Sequence, residues 1–239
     1  MESIAFPVRI NRYLALKNYA SRREADLLIQ NGRVTINGKL AQLGDRVKKN
    51  DVVAVDTAKN EKELVYLAYH KPAGIITHSP KSFETGIQEI LKFRMHIYPI
   101  GRLDKDSRGL IILTNDGRIT GKLLNPEERR EKEYRVLVDK KLDADFPLRM
   151  MRGVKLDDGY MTKQCHVVIV GERSFSIILT EGKKRQIRRM CEALGYRVTD
   201  LLRTRIMNIK LGDLKPGHYT ELKGAELKDF LKSIRLEGK

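Results

Sequence analysis

Residues 101–117 read Gly-Arg-Leu-Asp-Lys-Asp-Ser-Arg-Gly-Leu-Ile-Ile-Leu-Thr-Asn-Asp-Gly, a short polar loop that runs directly into an apolar stretch. The stretch Leu110–Leu113 predicts a buried strand, and a loop fixed at the end of such a strand presents its side chains from a rigid support. Asp104 is the carboxylate so presented, and Arg102 is near enough in the chain to hold it ionised. Asn115, Asp116 and Gly117 predict a tight turn or a helix cap ahead of Ile119 and Leu123, with structural duties for both polar side chains.

Outward from this loop, Leu64–Tyr69 predicts a strand ended by the turn His70-Lys-Pro-Ala-Gly74. Further strands are expected at Glu133–Val138, Gln164–Val170 and Ser174–Thr180. Helical periods occur at Thr120–Leu124, Asp145–Met151, Gln186–Leu194 and Ala225–Ile234. Strands and helices mixed without a regular alternation argue for an α+β domain over a doubly wound sheet. Within 186–194, Ile187, Met190, Cys191 and Leu194 make one apolar stripe, leaving Arg185, Arg188, Arg189 and Glu192 to other faces. That helix is expected to carry a core face and a cationic face. Tyr134, inside a charged strand start, offers a ring on which an extruded base could stack.

The N-terminal part is organised differently. Ile10, Tyr13 and Leu14 have helical spacing, and Ser21 with Glu24 forms a capping box for a second helix that Gly32 ends. Val34 and Ile36 alternate into an Asn37-Gly38 hairpin turn, and Val52–Val55 predicts another strand. Between Val8 and Asp56 this small module of two helices on a sheet holds 10 basic and 5 acidic residues. Residues 57–63, polar and without apolar period, are expected to link it to the second domain.

Charge narrows the partners. The 239 residues include 47 Lys and Arg against 31 Asp and Glu, a net charge of +16 that must sit largely at the surface. The apolar runs are too short to span a bilayer, so nucleic acid is favoured over membrane as the polyanion. Residues 1–7 have neither a positive segment nor an apolar one of signal-peptide type, which predicts a cytoplasmic protein. Cys165 and Cys191 fit reduced structural roles, and His70, His78, His96, His166 and His218 have no ligand spacing, so no metal is expected.

Residues 8–56 resemble the S4 RNA-binding domain through Arg9-Ile-Asn-Arg-Tyr-Leu14, Ser21-Arg-Arg-Glu-Ala-Asp26 and Gly32-Arg-Val-Thr-Ile-Asn-Gly-Lys39. Gly101-Arg-Leu-Asp-x-x-Ser-x-Gly-Leu110, followed by Leu113-Thr-Asn-Asp-Gly117, resembles the signature of the RsuA-type ribosomal RNA pseudouridine synthases. Lys71-Pro-x-Gly74, Lys132-x-Tyr134, Glu181-Gly182 with Gln186-x-x-Arg-Met190, and Arg203-Thr-Arg-Ile-Met-Asn208 extend the likeness. It is strongest to the RluB and RluF large-subunit branch.

The resemblance implies an S4-type domain at 1–56, a linker at 57–63 and a catalytic domain at 64–239 with a mostly antiparallel mixed sheet. It implies Asp104 as the catalytic aspartate, Arg102 as its neighbouring arginine, Tyr134 as the tyrosine packed on the target base, and Arg188 as the basic partner of the aspartate. RNA would be held by Arg12, Arg22, Arg23, Arg33, Lys39, Lys71, Arg185 and Arg189. The implied substrate is a structured stem-loop of 23S ribosomal RNA, acted on by a monomer without cofactor or metal. Two rivals predict different behaviour. A non-catalytic RNA-binding protein would not need Asp104, and a metal-dependent nuclease would need Asp104, Asp106 and Asp116 to converge on Mg²⁺.

Overall fold

The computed structural model describes residues 5–17, 19–20, 22–56, 63–77, 85–91, 93, 95, 97–125 and 127–236. Ser21 of the expected capping box, residues 57–62 of the expected linker, His78 and His96 lie outside the described residues. The chain divides into two compact units, Met1–Leu64 with Asp116–Ile119, and Val65–Asn115 with Thr120–Lys239.

The first unit contains β1 (Val8–Arg9), α1 (Ile10–Leu16), α2 (Arg22–Gln30), β2 (Val34–Ile36), β3 (Lys39–Leu40), β4 (Arg46–Val47) and β5 (Val53–Val55). Ile10 and Leu14 of α1 and Ala25 and Ile29 of α2 bury their apolar faces against Val8, Val34, Ala41 and Val47. β2 pairs with β3 through a two-residue turn in which both Asn37 (φ 53°) and Gly38 (φ 80°) are left-handed. This is the geometry that lets a two-residue hairpin follow the twist of its strands. The Asn37 side chain donates to Asp51 at 2.9 Å and accepts from the Val52 amide at 2.8 Å, tying the turn to the start of β5.

The chain continues with β6 (Tyr66–Lys71), α3 (Ile87–Ile90), β7 (Tyr98–Ile100), β8 (Arg108–Thr114), α4 (Arg118–Leu123), β9 (Lys132–Val138) and α5 (Phe146–Met151). Then come β10 (His166–Gly171), β11 (Ser174–Leu179), α6 (Gln186–Ala193), β12 (Val198–Ile206), β13 (Ile209–Lys210), β14 (Tyr219–Glu221) and α7 (Gly224–Ser233). Among the described residues these make a nine-stranded sheet in the order β10-β11-β9-β12-β8-β6-β14, with β13 beside β12 and β7 beside β8. Every pairing is antiparallel except β12 with β8. The sheet is therefore mixed and mostly antiparallel in an α+β domain, as expected. β8 is buried nearly throughout because it lies inside the sheet, which explains an unbroken apolar run where a half-exposed strand would alternate.

The main surprise is β12. At nine residues it is the longest strand among the described residues, yet residues 198–206 read as a basic stretch with no strand pattern. Its register against β9 shifts between Val198 and Asp200 and again between Arg203 and Arg205, and each shift breaks the two-residue alternation that betrays a strand. β12 is also the hub of the site. Its Arg203 lies opposite Tyr134 of β9 on one side and Gly109 of β8 on the other, and Gly109 lies opposite Lys71 of β6. One row across four strands thus holds Tyr134, Arg203, Gly109 and Lys71.

Gly109 is required in that row. A Cβ there would stand 2.3 Å from the carbonyl oxygen of Arg203 and 2.6 Å from its nitrogen, and the backbone is left-handed at φ +113°. Gly109→Ala is expected to destabilise the protein by about 3 kcal/mol or more, from backbone overlap and strain together. Urea unfolding would show this as a lower midpoint at an unchanged slope; an unshifted midpoint would mean that β8 and β12 separate at no cost.

Candidate active site

The loop from Gly101 to Ser107 enters from β7 and leaves into β8, and it has no regular structure of its own. Its backbone carbonyls must therefore find partners elsewhere. They all do. The Arg102 carbonyl faces Arg203 Nη1 at 3.5 Å, the longest of the set, and the Leu103 carbonyl accepts from the Thr77 hydroxyl at 2.8 Å. The Asp104 carbonyl accepts from the Ser107 amide at 3.1 Å, closing a turn. The Lys105 carbonyl accepts from the Gly74 amide at 2.7 Å and Lys71 Nζ at 3.3 Å. Arg188 Nη2 reaches the Asp106 carbonyl at 3.2 Å, and Lys71 Nζ the Ser107 carbonyl at 2.7 Å. Arg203 Nε donates to the Leu110 carbonyl at 2.6 Å, just inside β8.

Lys71 is fully buried, with a third bond to the Pro72 carbonyl at 2.9 Å. This corrects its expected role, since a side chain closed off from solvent and spent on three carbonyls cannot hold an RNA phosphate. Burial pulls its pKa down to about 8, against the pull of Asp106 and then Asp104, with Arg203 adding to the depression.

Above this frame Asp104 is half-buried, and among the described residues no side chain donates to its carboxylate. The expected charge partners lie elsewhere. Arg102 is exposed and makes no ion pair with Asp104 among the described residues. Arg188 approaches Asp106 Oδ2 at 3.4 Å, with Arg185 Nη1 at 3.1 Å from Asp106 Oδ1. Burial opposes the Asp106 charge, but the hydrogen bonds from Arg185 and the nearby charge of Arg188 hold its carboxyl below the ordinary range. Arg188 is itself buried and also donates to the Val198 carbonyl at 3.1 Å. The cationic face expected on α6 thus loses its central arginine to the interior, because the loop packs over that side of the helix.

The first turn of α6 is held by a polar network. Gln186 Nε2 donates to Glu181 Oε1 at 2.6 Å, Tyr160 Oη to Glu181 Oε2 at 2.8 Å, and the Lys183 amide to Gln186 Oε1 at 2.9 Å. Arg189 is likewise engaged, pairing with Asp157 and, at 2.8 Å, with Asp158. A phosphate at Arg189, as expected from the sequence, would have to compete with these two aspartates. Arg185 remains at the surface with φ 51° at the helix start. Tyr134 is half-buried against the core built from Val136, Leu179, Ile187 and Met190, and stands opposite Arg203 in register.

In the first unit, Arg12 and Arg22 line a cavity of about 350 Å³ together with Arg9 and Arg46. Arg9 and Arg46 face each other across the β1–β4 pair, where like charges repel. Sequence reading missed these two; only their clustering in the fold reveals them. Arg23 and Lys39 are exposed, and Arg33 lies 3.7 Å from Asp56. Among the described residues no group of three or more His, Cys, Asp or Glu could hold a metal ion, and the buried Asp116 pairs with Arg118 at 2.8 Å. Cys165 and Cys191 are free thiols that burial pushes up to about 11 and about 12.

Comparison with known proteins gives a consistent picture. Residues 65–193 match a family described as RNA pseudouridylate synthase, and residues 8–53 match the S4 domain. The chain is 42% identical over 231 residues to the dual-specificity RNA pseudouridine synthase RluF of Escherichia coli K12, covering 95% of this chain and 79% of that protein. It is 34% identical over 229 residues to the ribosomal large subunit pseudouridine synthase B of Yersinia pestis, covering 90% and 72%. A crystal structure of a pseudouridylate synthase superposes with a TM-score of 0.70 at 24% identity, covering 95% of this chain and 99% of that one, which shows the shared fold.

Lys71→Met is expected to leave carbonyls of the loop without donors, each costing about 1–3 kcal/mol, with partial relief from removing a buried cation. A net loss on the order of 2–4 kcal/mol should appear in equilibrium unfolding. Unchanged stability would show that the amine does not hold the loop.

Proposed function

The chain belongs to the RNA pseudouridylate synthase family, and we propose that it isomerises one uridine in a structured stem-loop of 23S ribosomal RNA. The observation that carries this reading is the Asp104 loop, whose backbone is bonded at every carbonyl from Arg102 to Ser107 while the carboxylate itself stays unengaged among the described residues. A reactive group held by its backbone and free at its side chain meets substrate without reorganisation.

Isomerisation breaks the N1–C1′ bond of uridine, turns the freed uracil and joins C5 to C1′. Asp104 would serve as nucleophile or base beside the ribose. Neither redox change nor net hydrolysis occurs, so no cofactor is consumed. The uridine must first leave its stack, and the Tyr134 ring would then support the flipped base. Arg185 and Arg102 stand at the surface to meet the backbone, while Arg188 would position the loop through Asp106. Segment 1–56 would grip the RNA through Arg12, Arg22, Arg23 and Lys39, joined by Arg9 and Arg46, with 57–63 as the link to the catalytic domain at 64–239. The same reading makes the protein a cytoplasmic monomer that needs no metal.

Asp104→Asn should abolish pseudouridine formation, by roughly 10³-fold or more as for loss of a reacting carboxylate, with RNA affinity retained. Carbodiimide modification and primer extension on RNA from cells with wild-type protein, with the variant and without the gene would map the site. A variant that still modified RNA would favour the non-catalytic RNA-binding reading. Replacing Arg12 and Arg22 together by Ala should lower the salt slope of RNA binding by about 1–2, one unit or less per phosphate released. An unchanged slope would remove the cavity from the RNA path.

A further inference from the structure

Two cations on the Tyr134 side of the sheet have no part in the chemistry described above. Lys132 precedes Tyr134 by two positions on β9, so both side chains leave the same face of the strand. Arg203, opposite Tyr134, shares that face and is 3% exposed. Lys132 Nζ donates to one acceptor, the Arg130 carbonyl at 3.1 Å, and Arg203 Nη2 is buried with no hydrogen-bond partner among the described residues. Among the described residues no carboxylate pairs with either. Burial first, and then the charge of Arg203, pulls the Lys132 amine down to about 8. Arg203 places Nε and Nη1 on the carbonyls of Leu110 and Arg102, so what remains without an acceptor is its buried Nη2, beside a half-buried lysine that has no acid either; an anion would relieve both.

We propose that Lys132 and Arg203 form the seat for the uracil ring while it is detached from the ribose. This rests on the reading of Asp104 and Tyr134 above. When the N1–C1′ bond breaks, its electron pair stays with the ring, C1′ is left as an oxocarbenium beside or joined to the Asp104 carboxylate, and the resulting uracil anion spreads charge over N1, O2 and O4. The ring rotates, C5 bonds to C1′, the proton on C5 passes to the Asp104 carboxylate, and N1 takes a proton from solvent. Between the two bonds the anion needs donors that do not have to reorganise. A ring lying over Tyr134 turns its oxygens toward the neighbouring positions on that face, where Lys132 and Arg203 stand. A half-buried Lys132 beside a buried Arg203 Nη2 suits a flipped base better than a phosphate, which keeps its hydration at the RNA surface.

The test compares leaving groups. Transcripts of 23S ribosomal RNA made with uridine or with 5-fluorouridine, whose base departs more readily, are reacted in single turnover and followed by loss of the N-glycoside in nuclease digests, because the fluorine on C5 bars the final deprotonation but not cleavage of the N1–C1′ bond. Lys132→Met should slow the uridine transcript by roughly 100-fold, as for loss of one donor to a developing anion, and the fluorinated transcript by only about 10-fold. RNA affinity should be unchanged and Lys132→Arg should recover most of the rate. Asp104→Asn should slow both transcripts alike. Equal losses on the two transcripts for Lys132→Met, a loss confined to affinity, or no rescue by Lys132→Arg would overturn the seat. A wild-type protein inert on both would overturn the synthase reading and this inference with it.

Discussion

Three cationic side chains, Lys71, Arg188 and Arg203, are buried around a single loop and give their N–H groups to backbone carbonyls. Everything distinctive about the site depends on this interaction. A loop of seven residues between two strands has no ladder to satisfy its carbonyls, and in a core of Leu, Ile and Val each unpaired carbonyl would cost about 1–3 kcal/mol. A buried ammonium or guanidinium has the complementary problem, a desolvation cost of several kcal/mol that hydrogen bonds must offset. Putting the two together solves both, because bonds from charged donors are the stronger kind. The carboxylate at the tip is thereby held without being used.

The sheet explains how residues so far apart in sequence supply that frame. Lys71 ends β6, the loop precedes β8, Tyr134 is on β9 and Arg203 is on β12. The parallel contact of β12 with β8 is the one departure from antiparallel pairing, and it places Arg203 directly against the strand that the loop feeds. Gly109 makes the approach close enough for Arg203 to reach both Leu110 and Arg102. A loop pinned by strands that share one sheet cannot shift relative to Tyr134 without breaking strand pairing.

Much of this was legible in the sequence. Leu110–Leu113 announced a buried strand because an apolar run needs no interpretation of periodicity, and the Asn37-Gly38 turn was visible because few residues tolerate left-handed angles. The spacing of Ile187, Met190 and Cys191 located α6 and its core face. β12 was hidden because its bulges displace the alternation, and because Arg203 and Arg205 disguise interior and ion-paired positions as a solvated basic run. Arg205 is committed to Glu131 and Glu133.

The misreadings share one cause. The resemblance implied Lys71 and Arg189 as RNA contacts and Arg188 as the partner of Asp104, but a cation in a sequence says only that an oxygen will be found near it. Carbonyl, carboxylate and phosphate oxygens are equivalent to that reading. What separates them is how many acceptors the fold brings within reach. Lys71 meets three carbonyls in the interior and retains no vacancy for RNA, while Arg189 and Arg185 are each engaged by aspartates with which a phosphate would have to compete. Arg9, Arg12, Arg22 and Arg46 converge on one cavity whose lining contains no acid. Four repelling charges around an open space have only an external anion to gain from, so it is the distribution of acceptors, more than the count of basic residues, that makes this cavity a candidate anion site.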